Sequence, residues 1–149
     1  MQVKDIMTTD VTFAYPEDPI QKIAAFLYTN GFHGIPVVRQ GTKTLIGIIT
    51  ESDFFTREGL LFYLTPYLDK MKNRNIEMPD KERSEFSNMI EATARDIMKI
   101  DPVSIEPDAD VAELAKIFSD KKIHTVPVAR QGELVGIVSM ADMVKLIRK

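Results

Sequence analysis

The stretch His33-Gly34-Ile35-Pro36-Val37-Val38-Arg39-Gln40-Gly41 is written a second time as His124-Thr125-Val126-Pro127-Val128-Ala129-Arg130-Gln131-Gly132, at an offset of 91. The same offset carries Asp5-Ile6-Met7 onto Asp96-Ile97-Met98 and Pro16 onto Pro107. After Gly41 the first copy holds two extra residues around Thr42-Lys43-Thr44. An offset of 89 then matches Leu45-Ile46-Gly47-Ile48-Ile49-Thr50 with Leu134-Val135-Gly136-Ile137-Val138-Ser139, and Asp53 with Asp142. Self-similarity at a fixed spacing marks a repeated supersecondary unit. Two copies of about 50 residues, instead of a long array, predict a pair related by a pseudo-two-fold axis and not a solenoid.

Outward from that stretch, each copy reads β-α-β-β-α. A short β-prone segment, Val11 to Ala14 or Val103 to Ile105, ends at Pro16 or Pro107. Pro16-Glu17-Asp18-Pro19 and Pro107-Asp108-Ala109-Asp110 then place proline and carboxylates where a first helical turn accepts them. Ile20, Ile23, Ala24 and Leu27, and Val111, Leu114, Ala115 and Phe118, recur at i, i+3, i+4 and i+7, which predicts one buried helical face per copy. Two apolar β segments in hairpin spacing follow, and a second helix starts after Thr50 or Ser139. The predicted fold class is α/β, with the β segments of both copies in a shared core.

Between the copies, about Phe54 to Thr93 matches neither. Phe54-Phe55, Leu60-Leu61-Phe62-Tyr63-Leu64 and Tyr67-Leu68 predict an aromatic extension of the second helix, ended or kinked at Pro66. Residues 70–84 read as a polar surface loop with Pro79-Asp80 as its breaker, and 85–92 as a short helix. The organisation is therefore repeat 1 over 1–58, a helical extension and linker over 59–93, and repeat 2 over 94–149. The aromatic face suits core or interface packing, and a homodimer formed through 54–68 is expected.

Composition narrows the function. The chain has 149 residues, 44% hydrophobic and 28% charged, a globular balance. Its net charge of −3, with both signs interspersed, gives no basic field for nucleic acid or an anionic membrane. It has no cysteine, which excludes disulfides, thiolate metal sites and a cysteine nucleophile. Met1-Gln2-Val3-Lys4-Asp5 lacks the apolar run of a secretory leader, and no apolar stretch approaches a membrane span, so a cytoplasmic protein is expected. Two histidines without H-E-x-x-H spacing do not make a metal site, and neither a Ser-His-Asp set nor a glycine-rich phosphate loop is present, so no enzyme activity and no cofactor are expected.

The residues left for chemistry are Gly47-Ile48-Ile49-Thr50-Glu51-Ser52-Asp53 and Gly136-Ile137-Val138-Ser139-Met140-Ala141-Asp142. Each ends a strand and opens a helix with a hydroxyl residue and, three positions on, an acid. Two readings fit. One is a capping box, the hydroxyl satisfying an orphan N–H and the acid favouring the positive helix end. The other is a nucleotide site, with N–H donors for phosphate and an exposed carboxylate for ribose hydroxyls. A hydroxyl that caps can also face a ligand.

These residues resemble those of the CBS (cystathionine β-synthase) domain. Each copy opens Asp-Ile-Met, runs through an apolar-Pro-Val step and closes on Gly-x-x-Thr/Ser-x-x-Asp; two in tandem are similar to a Bateman module. The resemblance implies a sensor that binds AMP, ADP or ATP, sometimes S-adenosylmethionine, between the repeats, pairs into a flat dimer and regulates a partner protein. By position, Asp53 and Asp142 match the ribose-binding acid, and Thr50 and Ser139 the phosphate-contacting hydroxyl. His33 and His124 match a basic residue near the phosphates, and Thr12, Phe13, Val103 and Ser104 the residues that bracket adenine. Phe13 departs from the family's usual Thr or Ser, which Ser104 keeps, so a ring is expected to fill or reshape the first pocket. The second site, expected around Val103, Ser104, His124, Ser139 and Asp142, should bind at least as well. Arg39 and Arg130 replace an acid, adding positive charge or coating the surface. The alternative is a degenerate, non-binding pair serving as a dimerisation scaffold.

Overall fold

The computed structural model describes residues 1–55, 80–81, 83–84 and 91–148. In the first repeat α1 (Ile20–Asn30) leads to the hairpin β1 (Gly34–Val38) and β2 (Leu45–Thr50) and a 3-10 turn at Glu51–Phe55. Before the second repeat's hairpin come α2 (Ala94–Ile97), β3 (Lys99–Ile100) and α3 (Val111–Lys121). The hairpin is β4 (Thr125–Arg130) and β5 (Glu133–Ser139), closed by α4 (Met140–Lys145). The hairpins repeat in register: Pro36 faces Ile48 and Pro127 faces Ile137, each with an irregularity after the next valine. Helix α1 buries Ile20, Ile23 and Leu27, and α3 buries Leu114 and Phe118. Ala24 and Ala115, expected on those faces, are exposed; each helix covers one narrow hairpin, and a methyl group at the rim does not reach it.

The expected first strands shrink to single residues. Ala14 bridges Val37 in parallel, and Ile105 bridges Val128. Ala14 N–H donates to the Pro36 carbonyl and Val38 N–H to the Ala14 carbonyl, both at 2.9 Å. Extending that ladder two residues toward the N-terminus would require Pro36 N–H to donate to the Thr12 carbonyl, and proline has no N–H. Pro127 sets the same limit at Val103. The repeated proline thus keeps Thr12 and Val103 out of the sheet.

The opening segments are exchanged. Val3 is fully buried, and it lies in the second repeat's core with Leu114, Val126 and Val138; Ile6 and Met7 pack against it. Ala94 and Ile97 lie in the first repeat's core with Ile23, Ile35 and Ile49. Equivalent bonds hold each segment: Val3 N–H to Ala109 O and Lys4 N–H to Pro107 O, against Ala94 N–H to Asp18 O and Arg95 N–H to Pro16 O, all at 2.9 Å. The carboxylates placed ahead of the helices divide the work: Asp110 caps α3, accepting from Ala112 N–H at 2.7 Å, while Asp108 and Glu17 serve the latch, pairing with Lys4 at 2.7 Å and Arg95 at 2.8 Å. Burial therefore falls in two cores, one per repeat, and the expected single shared core is corrected: the copies meet through exchanged segments and hairpin tips, where Leu45 N–H donates to Gly132 O and Leu134 N–H to Lys43 O.

Two repeated glycines admit the exchange. A Cβ on Gly136 would stand 2.6 Å from Met7 Sδ and 3.0 Å from Thr8 O; one on Gly47, 2.8 Å from Met98 Sδ and 3.0 Å from Lys99 O. Each glycine lets the other copy's segment cross its strand.

The aromatic extension from 56 to 68, the break at Pro66 and the short helix at 85–90 fall outside the described residues. Phe54 joins the first core and Phe55 is 52% exposed. Asp80, Lys81, Arg83 and Ser84 are helical and exposed where a loop was expected, since a proline just ahead of a helical turn starts it as readily as it breaks one.

Candidate functional site

Two clefts draw on both repeats. The first, about 420 Å³, joins Thr50, Glu51 and Ser52 after β2 to Val103 and His124 of the second copy. The second, about 280 Å³, joins Thr12 and His33 of the first copy to Ser139 and Asp142 after β5. The exchange explains the mixing. Strand β3 pairs with β2, so the chain leaving it carries Val103 past the end of β2; Thr8 bridges Ile137, so the chain leaving it carries Thr12 past the end of β5. The expected grouping of Val103, Ser104, His124, Ser139 and Asp142 is therefore corrected: Val103 and His124 face Thr50, while Ser139 and Asp142 face Thr12 and His33.

Phe13 lines neither cleft. Its ring meets Tyr15 edge-on, centroids 5.7 Å apart at 77°, so the expected filling of a pocket by that ring does not occur. Ser104 is exposed and also lies outside both linings.

The two acids have different settings. Asp53 is 2% exposed and is not the open carboxylate expected. It accepts from Thr50 N–H at 2.7 Å and Thr50 Oγ1 at 3.2 Å, and pairs with Lys99 at 3.4 Å. Thr50 Oγ1 also meets Ser52 Oγ at 2.9 Å, so this hydroxyl serves its own turn's side chains. Asp142 lines the second cleft and completes a capping box: it accepts from Ser139 N–H at 2.8 Å and Ser139 Oγ at 3.0 Å, and its own N–H donates to Ser139 Oγ at 3.3 Å. Lys145 adds a 3.0 Å ion pair. Burial by itself pushes the Asp142 carboxyl up, but the Ser139 N–H, the Lys145 ammonium and the Ser139 hydroxyl together outweigh it and hold the group below the usual carboxylate range.

His33 and Thr125 line both clefts. Thr125 Oγ1 is buried there with no hydrogen-bond partner among the described residues. It and the lysines of the first cleft, Lys99 and Lys122, escaped the sequence reading. For Lys122 and Thr125 the signal was a mismatch between copies, since the first repeat has Gly31 and Gly34 there. His124 Nδ1 lies 3.1 Å from Met140 Sδ at the rim. Arg130 pairs with Asp108 at 3.3 Å on the surface, and Arg39 borders a separate cleft with Arg95. Among the described residues no cluster of three His, Asp or Glu side chains is placed to hold a metal ion, and no helix is long and apolar enough to cross a membrane.

A twofold module with hydroxyl-opened turns facing two composite clefts is built to receive small ligands between its halves. The CBS domain model matches residues 3–58 and 94–149, and the chain belongs to that family. The CBS domain of a CBS-domain-containing membrane protein from Sphaerobacter thermophilus has a similar structure, with 28% identity, 98% of this chain and 87% of that one covered, and a TM-score of 0.74. CBSX2 of Arabidopsis thaliana, crystallised with AMP, is similar at 19% identity, 98% and 95% coverage and a TM-score of 0.71. The CBS pair of protein MJ0100, crystallised with 5′-methylthioadenosine and S-adenosyl-L-methionine, is similar at 24% identity, 99% coverage of each chain and a TM-score of 0.68.

Proposed function

We propose that this chain is a regulatory ligand sensor that binds an adenosine-containing nucleotide of the AMP, ADP or ATP class between its repeats. The observation that carries the reading is that each cleft takes its walls from both copies, so an occupant ties the two halves together. The complexes of CBSX2 with AMP and of MJ0100 with 5′-methylthioadenosine and S-adenosyl-L-methionine support the ligand class. A sensor of this type does no chemistry: its output is the difference in ligand affinity between two conformations, passed to a partner protein. It acts in the cytoplasm as a homodimer, and the exposed apolar side chains Tyr28, Phe55, Val144 and Ile147 support self-association.

The test is a thermal-shift panel of AMP, ADP, ATP, S-adenosylmethionine and the guanine nucleotides. A ligand at a hundred times its Kd stabilises the folded state by about 2.7 kcal/mol. The expected result is a shift with adenine compounds and none with guanine. If no adenine compound shifts the transition, the chain is a scaffold.

A further inference from the structure

The two clefts, built from equivalent positions, are not chemically equivalent. Where the second has Thr8 and Gly31, the first has Lys99 and Lys122. Among the described residues, the ionic side chains lining the first are those two lysines with Glu51 and Asp101, and those lining the second are Asp10 and Asp142. The balance moves from neutral to two negative charges. Size moves the same way, about 420 Å³ against 280 Å³.

Lys122 adds backbone evidence. It ends α3 at φ 54°, in the left-handed region, where α1 ends on Gly31 at φ 64°. That conformation favours glycine, and a side chain is held there against its preference. Asp101, at φ 49°, is also in that region and lines the same cleft, while Gln131, at φ 51°, belongs to the turn between β4 and β5. Non-glycine residues held this way gather at ligand sites. Complementing the helix end does not account for Lys122, because Lys121 already places a cation in the last turn.

We infer that the clefts take different ligands: the Thr50 cleft an adenosine bearing a phosphate chain, held by Lys122 and Lys99, and the Ser139 cleft an adenosine compound without phosphate. The assignment rests on the adenosine-binding reading above. Lys99 is 60% exposed and contacts Asp53 only at 3.4 Å, so it retains donors for a phosphate. In the Ser139 cleft no lysine or arginine lines the wall among the described residues, the Asp10 carboxylate repels a phosphate, and Asp142, though paired with Lys145, keeps lone pairs that accept from ribose hydroxyls.

The test titrates ATP and adenosine by calorimetry into the full chain, Lys122→Gly and Lys122→Arg. Glycine is the residue the backbone favours here, so that variant keeps the fold. The wild type is expected to bind ATP, and adenosine is expected to bind additionally to ATP-saturated protein. Lys122→Gly should weaken ATP at least about tenfold and leave adenosine within about twofold, with Lys122→Arg close to wild type for both. Unchanged ATP affinity in Lys122→Gly, an equal loss of both ligands, or no adenosine uptake by ATP-saturated protein overturns the inference and leaves the adenosine-binding reading standing. A wild type that binds neither compound overturns both.

Discussion

Asp53 and Asp142 occupy the same place in the repeat, yet their surroundings give them different work. Asp53 is enclosed by Thr50 and Lys99 and stabilises its turn from inside; Asp142, its side chain 13% exposed, holds Ser139 while facing a cleft. Its depressed pKa makes Asp142 a pH-dependent element of stability. A carboxyl whose pKa is lower folded than unfolded contributes fully above the unfolded value, about 3.9, and the contribution is lost as pH falls through the folded value. Asp142→Asn keeps an acceptor for Ser139 N–H but no charge for Lys145 or the helix start, and should lower stability by about 0.5–1.5 kcal/mol at pH 7. That gap should narrow as the pH drops from 6 toward 3. Asp108 is also lowered, by its bond to Lys4 above all, but it titrates alike in both proteins and cancels. Melting curves of the two proteins, without nucleotide and across that range, check this; a gap that widens in acid contradicts the assigned direction.

The helices and hairpins were legible because their signals are local: an i, i+3, i+7 stripe for α1 and α3, β segments around a glycine turn for the hairpins. The pairing of hydroxyl and acid was legible too, as one motif written twice. Which copy's core receives Val3 or Ala94 was not, because the copies have nearly the same pattern and either core accepts a small apolar residue. The composite nature of the clefts follows from that exchange and was hidden with it. The first strands were misread for a related reason. Val11-Thr12-Phe13-Ala14 has the composition of a strand, but its partner in the sheet offers a proline where the ladder needs a donor. Gly47 and Gly136 are the sequence mark of the crossing. Gly136→Ala puts a methyl group against Met7 Sδ at 2.6 Å, which a flexible side chain relieves, and against Thr8 O at 3.0 Å, which backbone bonded to Ile137 does not. Overpacking of this kind costs about 1–3 kcal/mol. Urea denaturation should show that loss at Gly136, with a similar one for Gly47→Ala. A neutral result at both would mean that the exchanged segments do not run tightly over the strands.

Exchange makes the module one mechanical object. Each repeat has its own core, but each core is completed by the other copy's opening segment, so neither half holds its whole core on its own residues. The clefts lie where those segments pass, which is why a ligand in either touches both repeats. Deleting residues 1–9 tests the arrangement. The deletion removes Val3, fully buried, and the partly buried Ile6 and Met7 from the second core. It also removes the bonds from Val3 and Lys4 to Ala109 and Pro107 and the Thr8–Ile137 pair. At about 1.5–3 kcal/mol for each fully buried apolar side chain, and less for the two partly buried ones, the loss comes to about 3–6 kcal/mol. Against the 5–15 kcal/mol typical of a domain, that is a large fraction. The damage should be uneven: amide exchange is expected to speed up most in α3, β4 and β5, which the deleted segment covers, and least in α1, β1 and β2, whose buried side chains lie in the first core. Full-length Val3→Asp should give the same ranking more mildly, since it leaves the segment's backbone bonds available while placing a charge in the second core. Faster exchange in α1, β1 and β2 instead would mean that the opening segment serves its own repeat, and the composite clefts would lose their structural basis.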